Sequence, residues 1–181
     1  MKTAIYRTGS MSVGVHSYDT LMHWEEFDDR RPVGHVSREE SLFAAPDIQG
    51  GHHWMGYVSR KTERCFAFNE IIVESDNVRV YSVDDYNRVT DHGGYPYPSD
   101  IEYINSYWDT SMSLTDWLGE VGQDPHGQWE VLLPVSEVIS SRTLTYEEIR
   151  ELYLEEGMED EIMDLDYISS QLEDGLAAFA S

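Results

Sequence analysis

The sequence predicts an α+β fold, because it contains both an antiparallel strand pair and segments with helical periodicity. Two segments rich in β-branched and aromatic residues, 65–74 and 77–85, are predicted to be strands joined by a tight turn. From Thr145 onward, apolar residues recur at intervals of three and four, which is the helical period. Hydrophobic residues make up 40% of the 181 positions, so the chain can fill a core.

The N-terminal part of the chain is predicted to alternate short strands with helices. Residues 3–9 alternate apolar and polar side chains and end at a glycine, as expected of a strand. Apolar residues at helical spacing predict a helix within residues 15–31, which a proline and a glycine would end. A short apolar strand at 41–45 and a helix at 48–60 follow.

The central part of the chain is predicted to contain a loop, short helices and a further strand. Residues 90–100 contain two Gly and two Pro, which favour a loop. Residues 101–122 are predicted to form one or two short helices, with Ser113 as an N-cap and Asp116 three residues later. A strand at 128–134 ends at a proline.

The C-terminal stretch is predicted to be helical and acidic. Thr145 is suited to cap a helix whose first turn carries two glutamates. Gly157 is expected to interrupt this helix before a second one. We therefore expect residues 145–181 to form an acidic helical extension, packed on or beside a domain of residues 1–144.

The charge of the chain limits its partners. The formal net charge is -23, from 35 Asp and Glu against 12 Lys and Arg. Such a chain repels nucleic acid, so direct binding to phosphates is not expected. Three interpretations of the acidity remain open: a solvated acidic face, adaptation to high salt, and imitation of DNA to occupy a basic surface on another protein.

Several common sites and locations are disfavoured by the sequence. Cys65 is the only cysteine, so an internal disulfide is excluded and a reducing, cytoplasmic setting is expected. No apolar run approaches the roughly 20 residues of a membrane helix, and the N-terminus lacks the apolar part of a signal peptide. The chain has no GxGxxG pattern and no phosphate-binding loop. With one cysteine and adjacent His52 and His53, we expect no zinc site.

The strand "QWEVLLP" carries a carboxylate beside an apolar run. Glu130 and Gln128 lie on one face of this strand, because side chains alternate. The preceding "GQDPHG" is a polar turn of the kind that flanks a cleft. Glu130 is therefore a candidate functional residue, and the alternative is a solvent-facing position on an edge strand.

Three short patches occur in order along the chain: "YRTG" from Tyr6, "SLFAAP" from Ser41 and "QWEVLLP" from Gln128. They resemble the motifs of the ADP-ribosyltransferase superfamily. In that superfamily the first strand ends in Arg or His, and a second strand opens with Ser or Thr or has an aromatic residue next to Phe-Ala. A later strand carries the catalytic Glu before an apolar run. The long interval between the second and third patches requires the loop at 90–100 to be an insertion.

The resemblance implies a split, twisted antiparallel sheet with flanking helices that clasps NAD in a cleft. Glu130 would stabilise the positive charge that develops on the ribose as nicotinamide leaves, as in glycoside cleavage. Gln128 would act with it at the catalytic centre and face the acceptor. The residues implied to bind NAD are Arg7, Thr8, Ser41, Phe43, Trp54 and Tyr57.

Within that set the resemblance implies separate roles. Arg7 would bind the phosphates or a ribose, a task that its fork of donors suits. Ser41 would support the cleft through hydrogen bonds. Trp54, with Tyr57 as the alternative, would stack on the nicotinamide.

Two functions are thus expected. The first is transfer of ADP-ribose from NAD to an acceptor, expected to be a protein, with release of nicotinamide by the domain of residues 1–144. The second is non-enzymatic: an acidic inhibitor, DNA-like in its charge and of the kind that viruses use, which blocks a basic surface of a partner through the C-terminal helices.

Overall fold

The computed structural model describes residues 1–9, 11, 24–62, 67–90, 100–120 and 128–167, with the backbone alone at 24, 56–62 and 90. The strands are β1 (Lys2–Thr8), β2 (Leu42–Ala44), β3 (Phe68–Glu74), β4 (Arg79–Ser82), β5 (Met112–Ser113), β6 (Trp129–Leu133) and β7 (Ser140–Thr143). The helices are α1 (Trp24–Asp29), α2 (Ile48–Thr62), α3 (Val83–Thr90), α4 (Ile101–Asp109), α5 (Leu114–Glu120) and α6 (Tyr146–Glu155), and residues 162–167 are also helical. Within these ranges, every helix is too short or too polar to cross a lipid bilayer.

Two antiparallel sheets lie at the centre of the molecule. The first sheet has the strand order β1–β3–β7, and the second has the order β2–β6–β4–β5. The backbones of Tyr6 in β1 and Ala45 just after β2 join the sheets through two hydrogen bonds of 3.0 and 2.7 Å. The strands β1, β2 and β6 are therefore consecutive neighbours across this junction. The predicted α+β class is confirmed.

The two sheets face each other, and helices cover their outer faces. Ile5 and Ile71 of the first sheet pack against Val80 and Val131 of the second sheet, and this cluster is the central core. Because side chains alternate along a strand, the neighbouring residues point outward to the helices. On the first sheet these helices are α2 and α6. On the second sheet these helices are α1, α3 and α4. Their inward residues and the outward residues of the sheet form the aromatic core, which consists of Phe27, Tyr81, Tyr86, Val89, Ile104, Tyr107, Trp108 and Leu132.

The described part of the acidic C-terminal stretch packs on the outer face of the first sheet. Ile149, Tyr153 and Leu165 are buried there in one cluster with Tyr6 and Phe68. Thr145 caps α6 through a capping box with the side chain of the residue three positions later, Glu148. Gly157 follows the helix with a φ of 72°, a left-handed conformation that glycine adopts readily. The predicted cap and the predicted interruption are both confirmed.

The strand predicted at 77–85 is wrong in its last three residues. It ends at Ser82, and α3 begins at Val83, whose backbone N–H donates to the carbonyl oxygen of Gln128 at 2.9 Å. Two aspartates then occupy the first turn of α3, where the helix dipole favours negative charge. The 3-10 turn at Ser75–Asn77 leads the chain from the first sheet to the second, so β3 and β4 do not pair with each other.

Most of the other predicted elements are present where the structure describes them. The strands at 3–9, 41–45 and 128–134 correspond to β1, β2 and β6, and the helix at 48–60 corresponds to α2. Ser113 caps α5 by accepting a hydrogen bond of 3.0 Å from the backbone N–H of Asp116. Of the helix predicted within 15–31, the part described is α1, and most of the loop predicted at 90–100 lies outside the described residues.

Candidate functional site

The carboxylate of Glu130 lies inside the protein. Glu130 is the second residue of β6, and only 5% of its surface is exposed. It is on the same face of the strand as Leu132, so its side chain points into the aromatic core. On the neighbouring strand β4 it pairs with Tyr81. The alternative of a solvent-facing position is therefore wrong.

A single oxygen of Glu130 receives two buried donors. Oε1 accepts a hydrogen bond from Nη1 of Arg38 and another, of 2.7 Å, from the hydroxyl of Tyr107. Nη1 of Arg38 also donates to the oxygen of the Tyr107 hydroxyl. We call Arg38, Tyr107 and Glu130 the buried triad. Burial works to lower the pKa of the Arg38 guanidinium, but the charge and hydrogen bond of Glu130, together with Tyr107 and Tyr86, outweigh it and the pKa is raised.

Four aromatic rings surround the guanidinium of Arg38. Its central carbon lies 4.1 Å from the ring centroid of Tyr86, 4.8 Å from Phe43, 5.2 Å from Tyr107 and 5.7 Å from Phe27. These rings belong to α3, β2, α4 and α1. Each ring face attracts the cation, and together they hold its position from several elements at once.

The loop between α1 and β2 brings Arg38 to this position. The carboxylate of Asp28, at the end of α1, accepts the backbone N–H of Arg38 at 3.0 Å and the hydroxyl of Ser37 at 2.5 Å. Ser41, just before β2, donates its hydroxyl to the carbonyl oxygen of Ser37 at 2.5 Å. Ser41 thus supports the loop that carries Arg38. The next residue, Leu42, pairs with Leu133, at the opposite end of β6 from Glu130. Ser41 therefore lies near the end of β6 that is distant from Glu130.

A second layer of rings connects the buried triad to the surface. The ring of Tyr81 stacks on Tyr107, with centroids 5.0 Å apart and planes 19° apart. The hydroxyl of Tyr81 lies 3.3 Å from Nδ1 of His35, and burial raises the pKa of Tyr81 to about 12. Burial also lowers the pKa of His35, as do the charges of Arg79 and Arg31.

Arg7 contacts the backbone of Phe43 from the side of the second sheet opposite to Glu130. Nη1 of Arg7 donates to the carbonyl oxygen of Phe43 at 2.5 Å, and burial lowers the pKa of Arg7. Arg7 shares the face of Ile5 on β1, which borders the central core. The ring of Phe43 lies on the other side, over Arg38 of the buried triad. Arg7 therefore fastens β1 to β2, whereas Glu130 points away from it.

The other predicted site residues lie around this junction and on α2. Gln128 just before β6 is tied to α3, because its side-chain oxygen accepts a hydrogen bond of 3.3 Å from Asn87. Thr8 ends β1 and pairs with Phe68. Trp54 is half-buried on α2, the helix that packs against β1. Tyr57 is on the same helix, but its side chain lies outside the described residues.

Arg38 and Tyr107 were not predicted from the sequence. Arg38 lies in the polar run "VSREES", where nothing in the local pattern distinguishes it from a surface arginine. Tyr107 is one of several aromatic residues at helical spacing in α4. Their significance comes from contact with Glu130, which is 92 residues from Arg38 and 23 residues from Tyr107.

Among the described ranges, no group of three His, Cys, Asp or Glu side chains is arranged to hold a metal ion. Comparisons with models of protein families, with curated proteins and with solved structures give no match to this chain.

Proposed function

We propose that the protein cleaves the bond between nicotinamide and ribose in NAD and transfers ADP-ribose to a protein acceptor. One observation carries this proposal: the three patches that resemble the ADP-ribosyltransferase motifs lie on neighbouring strands. They belong to β1, β2 and β6, which follow one another across the junction of the two sheets. Arg7 donates to the carbonyl oxygen of Phe43, and Glu130 pairs with Arg38, whose guanidinium lies over the Phe43 ring.

The proposed chemistry requires an ionised carboxylate beside the ribose. Positive charge develops on the sugar as nicotinamide leaves, and a fixed carboxylate stabilises that charge more strongly where water is excluded. Glu130 has this environment, since it is buried and paired with a cation. Gln128, held by α3 two residues earlier, would border the acceptor.

The proposal gives Arg7 a different role from the one that the resemblance implies. Its guanidinium holds the junction of β1 and β2 from the face opposite to Glu130. We therefore assign the reaction chemistry to Glu130 and the integrity of the junction to Arg7. The split sheet is part of the same proposal: the NAD cleft would lie on the face of the second sheet that carries Glu130.

The test compares wild type with Glu130→Gln. The purified proteins are incubated with NAD, free nicotinamide is measured by chromatography, and a mass gain of one ADP-ribose is sought on candidate proteins. We expect Glu130→Gln to abolish turnover because the amide carries no charge to stabilise the sugar cation. Glu70→Gln is the matched control, since Glu70 also pairs with an arginine, Arg142, and lies on another strand.

Folding is checked on the same samples by circular dichroism and thermal unfolding, because Glu130→Gln leaves Arg38 buried without its counter-ion. Equal nicotinamide release by wild type and folded Glu130→Gln rejects the assignment of Glu130. No release from wild type, with or without cell extract as a source of acceptor, rejects the enzymatic proposal.

The acidic C-terminal stretch supports a second candidate function, the binding of a basic protein surface. Between Thr145 and Tyr167 the chain carries ten Asp and Glu and one arginine. Most of these carboxylates are exposed, and Met163 beside them is 78% exposed. An acidic face with an exposed apolar residue is suited to a basic partner that also buries apolar surface.

This candidate is tested by capture from cell extract over a series of salt concentrations. Changing Glu147, Glu151 and Glu155 to Gln should release a partner held by charge, and salt should do the same. Three exposed glutamates elsewhere, Glu39, Glu40 and Glu102, serve as the control. Capture that withstands both the C-terminal changes and high salt rules out recognition by charge.

A further inference from the structure

The buried triad places two donors on one oxygen of Glu130. Nη1 of Arg38 and the hydroxyl of Tyr107 both contact Oε1, and both residues are buried with Glu130. A carboxylate held in this way cannot rotate freely about its last bond, because rotation breaks both hydrogen bonds. Its second oxygen, Oε2, therefore has a fixed direction.

The position of Arg38 is set independently of Glu130. The backbone N–H of Arg38 is held by Asp28, and four rings from four elements surround its guanidinium. Tyr107 is likewise fixed by stacking on Tyr81 and by edge contact with Phe27. The two donors thus form a rigid cradle, into which β6 brings the carboxylate.

Stability alone does not account for a buried ion pair in an aromatic core. Removing two charges from water costs about as much as their attraction returns, and apolar residues of similar volume often stabilise a protein equally well or better. An arginine offers something that an apolar residue lacks, which is a planar fork with fixed donor directions and a permanent charge. Both properties matter for a carboxylate that must be ionised and aimed.

We infer that Arg38 and Tyr107 are positioning residues for Glu130: they hold its carboxylate in one orientation and direct Oε2 toward the ribose of the substrate. Arg38 supplies a planar, charged donor, and Tyr107 supplies the second donor that fixes the plane of the carboxylate. Neither touches the reacting atoms. This inference rests on the proposed function and adds to it the residues through which Glu130 acts.

The test uses full-length Arg38→Gln, Arg38→Lys and Tyr107→Phe, with NAD as the substrate. For each variant kcat and KM for nicotinamide release are measured across pH, together with the unfolding midpoint. Arg142→Gln is the matched control, because it removes an exposed arginine that pairs with Glu70 and Glu148 far from the triad.

We expect Arg38→Gln to lower kcat by about 100-fold with little change in KM, the scale that misplacement of a reacting group produces. Arg38→Lys should recover part of the loss, because it restores the charge but not the fork. Tyr107→Phe should also lower kcat with little change in KM, because it removes the second donor to Oε1.

The outcomes separate this inference from the function on which it rests. If wild type releases nicotinamide and the folded variants match its kcat and KM, the positioning roles are rejected while the proposed function stands. A kcat above that of wild type in Arg38→Gln also rejects them, since Arg38 would then restrain Glu130. Wild type without NAD turnover rejects both. If Arg38→Gln does not fold, Arg38→Lys and Tyr107→Phe decide by the same criteria.

Discussion

Arg38 and Glu130 are 92 residues apart in the chain and form an ion pair in which both side chains are almost completely buried. The pair joins the loop before β2 to the start of β6, so it links the two neighbouring strands through side chains as well as through their backbone ladder. Its cation is enclosed by rings, and its anion has a second donor in Tyr107.

Breaking this ion pair on one side should cost more than removing it altogether. Arg38→Met leaves Glu130 buried without its cation, and we expect a loss of about 3–5 kcal/mol in the free energy of unfolding. Arg38→Met with Glu130→Leu removes both charges and should recover most of that loss. Urea unfolding of the wild type, both single variants and the double variant provides the measurement. A double variant less stable than either single variant would contradict the argument.

Gly51 should tolerate no side chain, in contrast to Gly119. A Cβ at Gly51 would lie 2.8 Å from Cζ of Phe68 and 2.9 Å from Cβ of Tyr6, where α2 packs on the first sheet. We expect Gly51→Ala to destabilise the fold by roughly 1–3 kcal/mol through overpacking. Gly119 in α5 has nothing within 4 Å of such a Cβ, so Gly119→Ala should stabilise its helix by roughly 0.5–1 kcal/mol. Thermal unfolding of both variants measures the contrast, and changes of equal sign would contradict it.

The capping box at α6 should contribute measurably to stability. The side chain of Thr145 accepts the backbone N–H of Glu148 at 3.3 Å, and the Glu148 carboxylate accepts the backbone N–H of Thr145 at 2.8 Å. Thr145→Ala removes the first bond and should cost about 1 kcal/mol. Ser140→Ala, at an exposed strand position, is the control and should change little. Chemical denaturation of both variants distinguishes a cap from a general effect of removing a hydroxyl.

His35 should make the fold less stable in acid. Its pKa is lowered first by burial and then by the charges of Arg79 and Arg31. The folded protein therefore binds this proton less readily than the unfolded chain does. Stability that is present above the ordinary histidine pKa of 6.5 is lost as the pH falls through the lowered value. His35→Gln should lose less stability between neutral pH and pH 5 than wild type.

The control for this prediction is His53→Gln, at an exposed position of α2. It should show the same loss of stability in acid as the wild type. Unfolding by urea at several pH values supplies the comparison. An acid loss in His35→Gln as large as that of the wild type would mean that another group is responsible.

Local signals predicted much of the secondary structure. The caps at Ser113 and Thr145 depend on residues three positions apart, and both are present. The apolar run Val131–Leu133 predicted β6 correctly, because a buried strand needs consecutive apolar residues. The strand β7 was missed, since its residues are polar and all exposed, and its pairing with β3 is what makes it a strand.

Contacts between distant parts of the chain were not predictable from the same signals. The sequence indicated Glu130, because a carboxylate beside an apolar run is conspicuous. It gave no indication of Arg38, whose burial depends on rings contributed by four separate elements. Nor did it indicate that Arg7 and Glu130 face opposite sides of the second sheet, which depends on the register of β1, β2 and β6.

The junction between Tyr6 and Ala45 also bears on how the protein avoids self-association. The bridge occupies part of one edge of each sheet, where a strand of a neighbouring molecule could otherwise pair. The opposite edges, among the strands described, are β5, with two residues, and β7, whose sequence "SSRT" is polar and carries a charge. Very short or charged edge strands are poor templates for intermolecular β-pairing. The described edges therefore offer little backbone for edge-to-edge pairing between molecules.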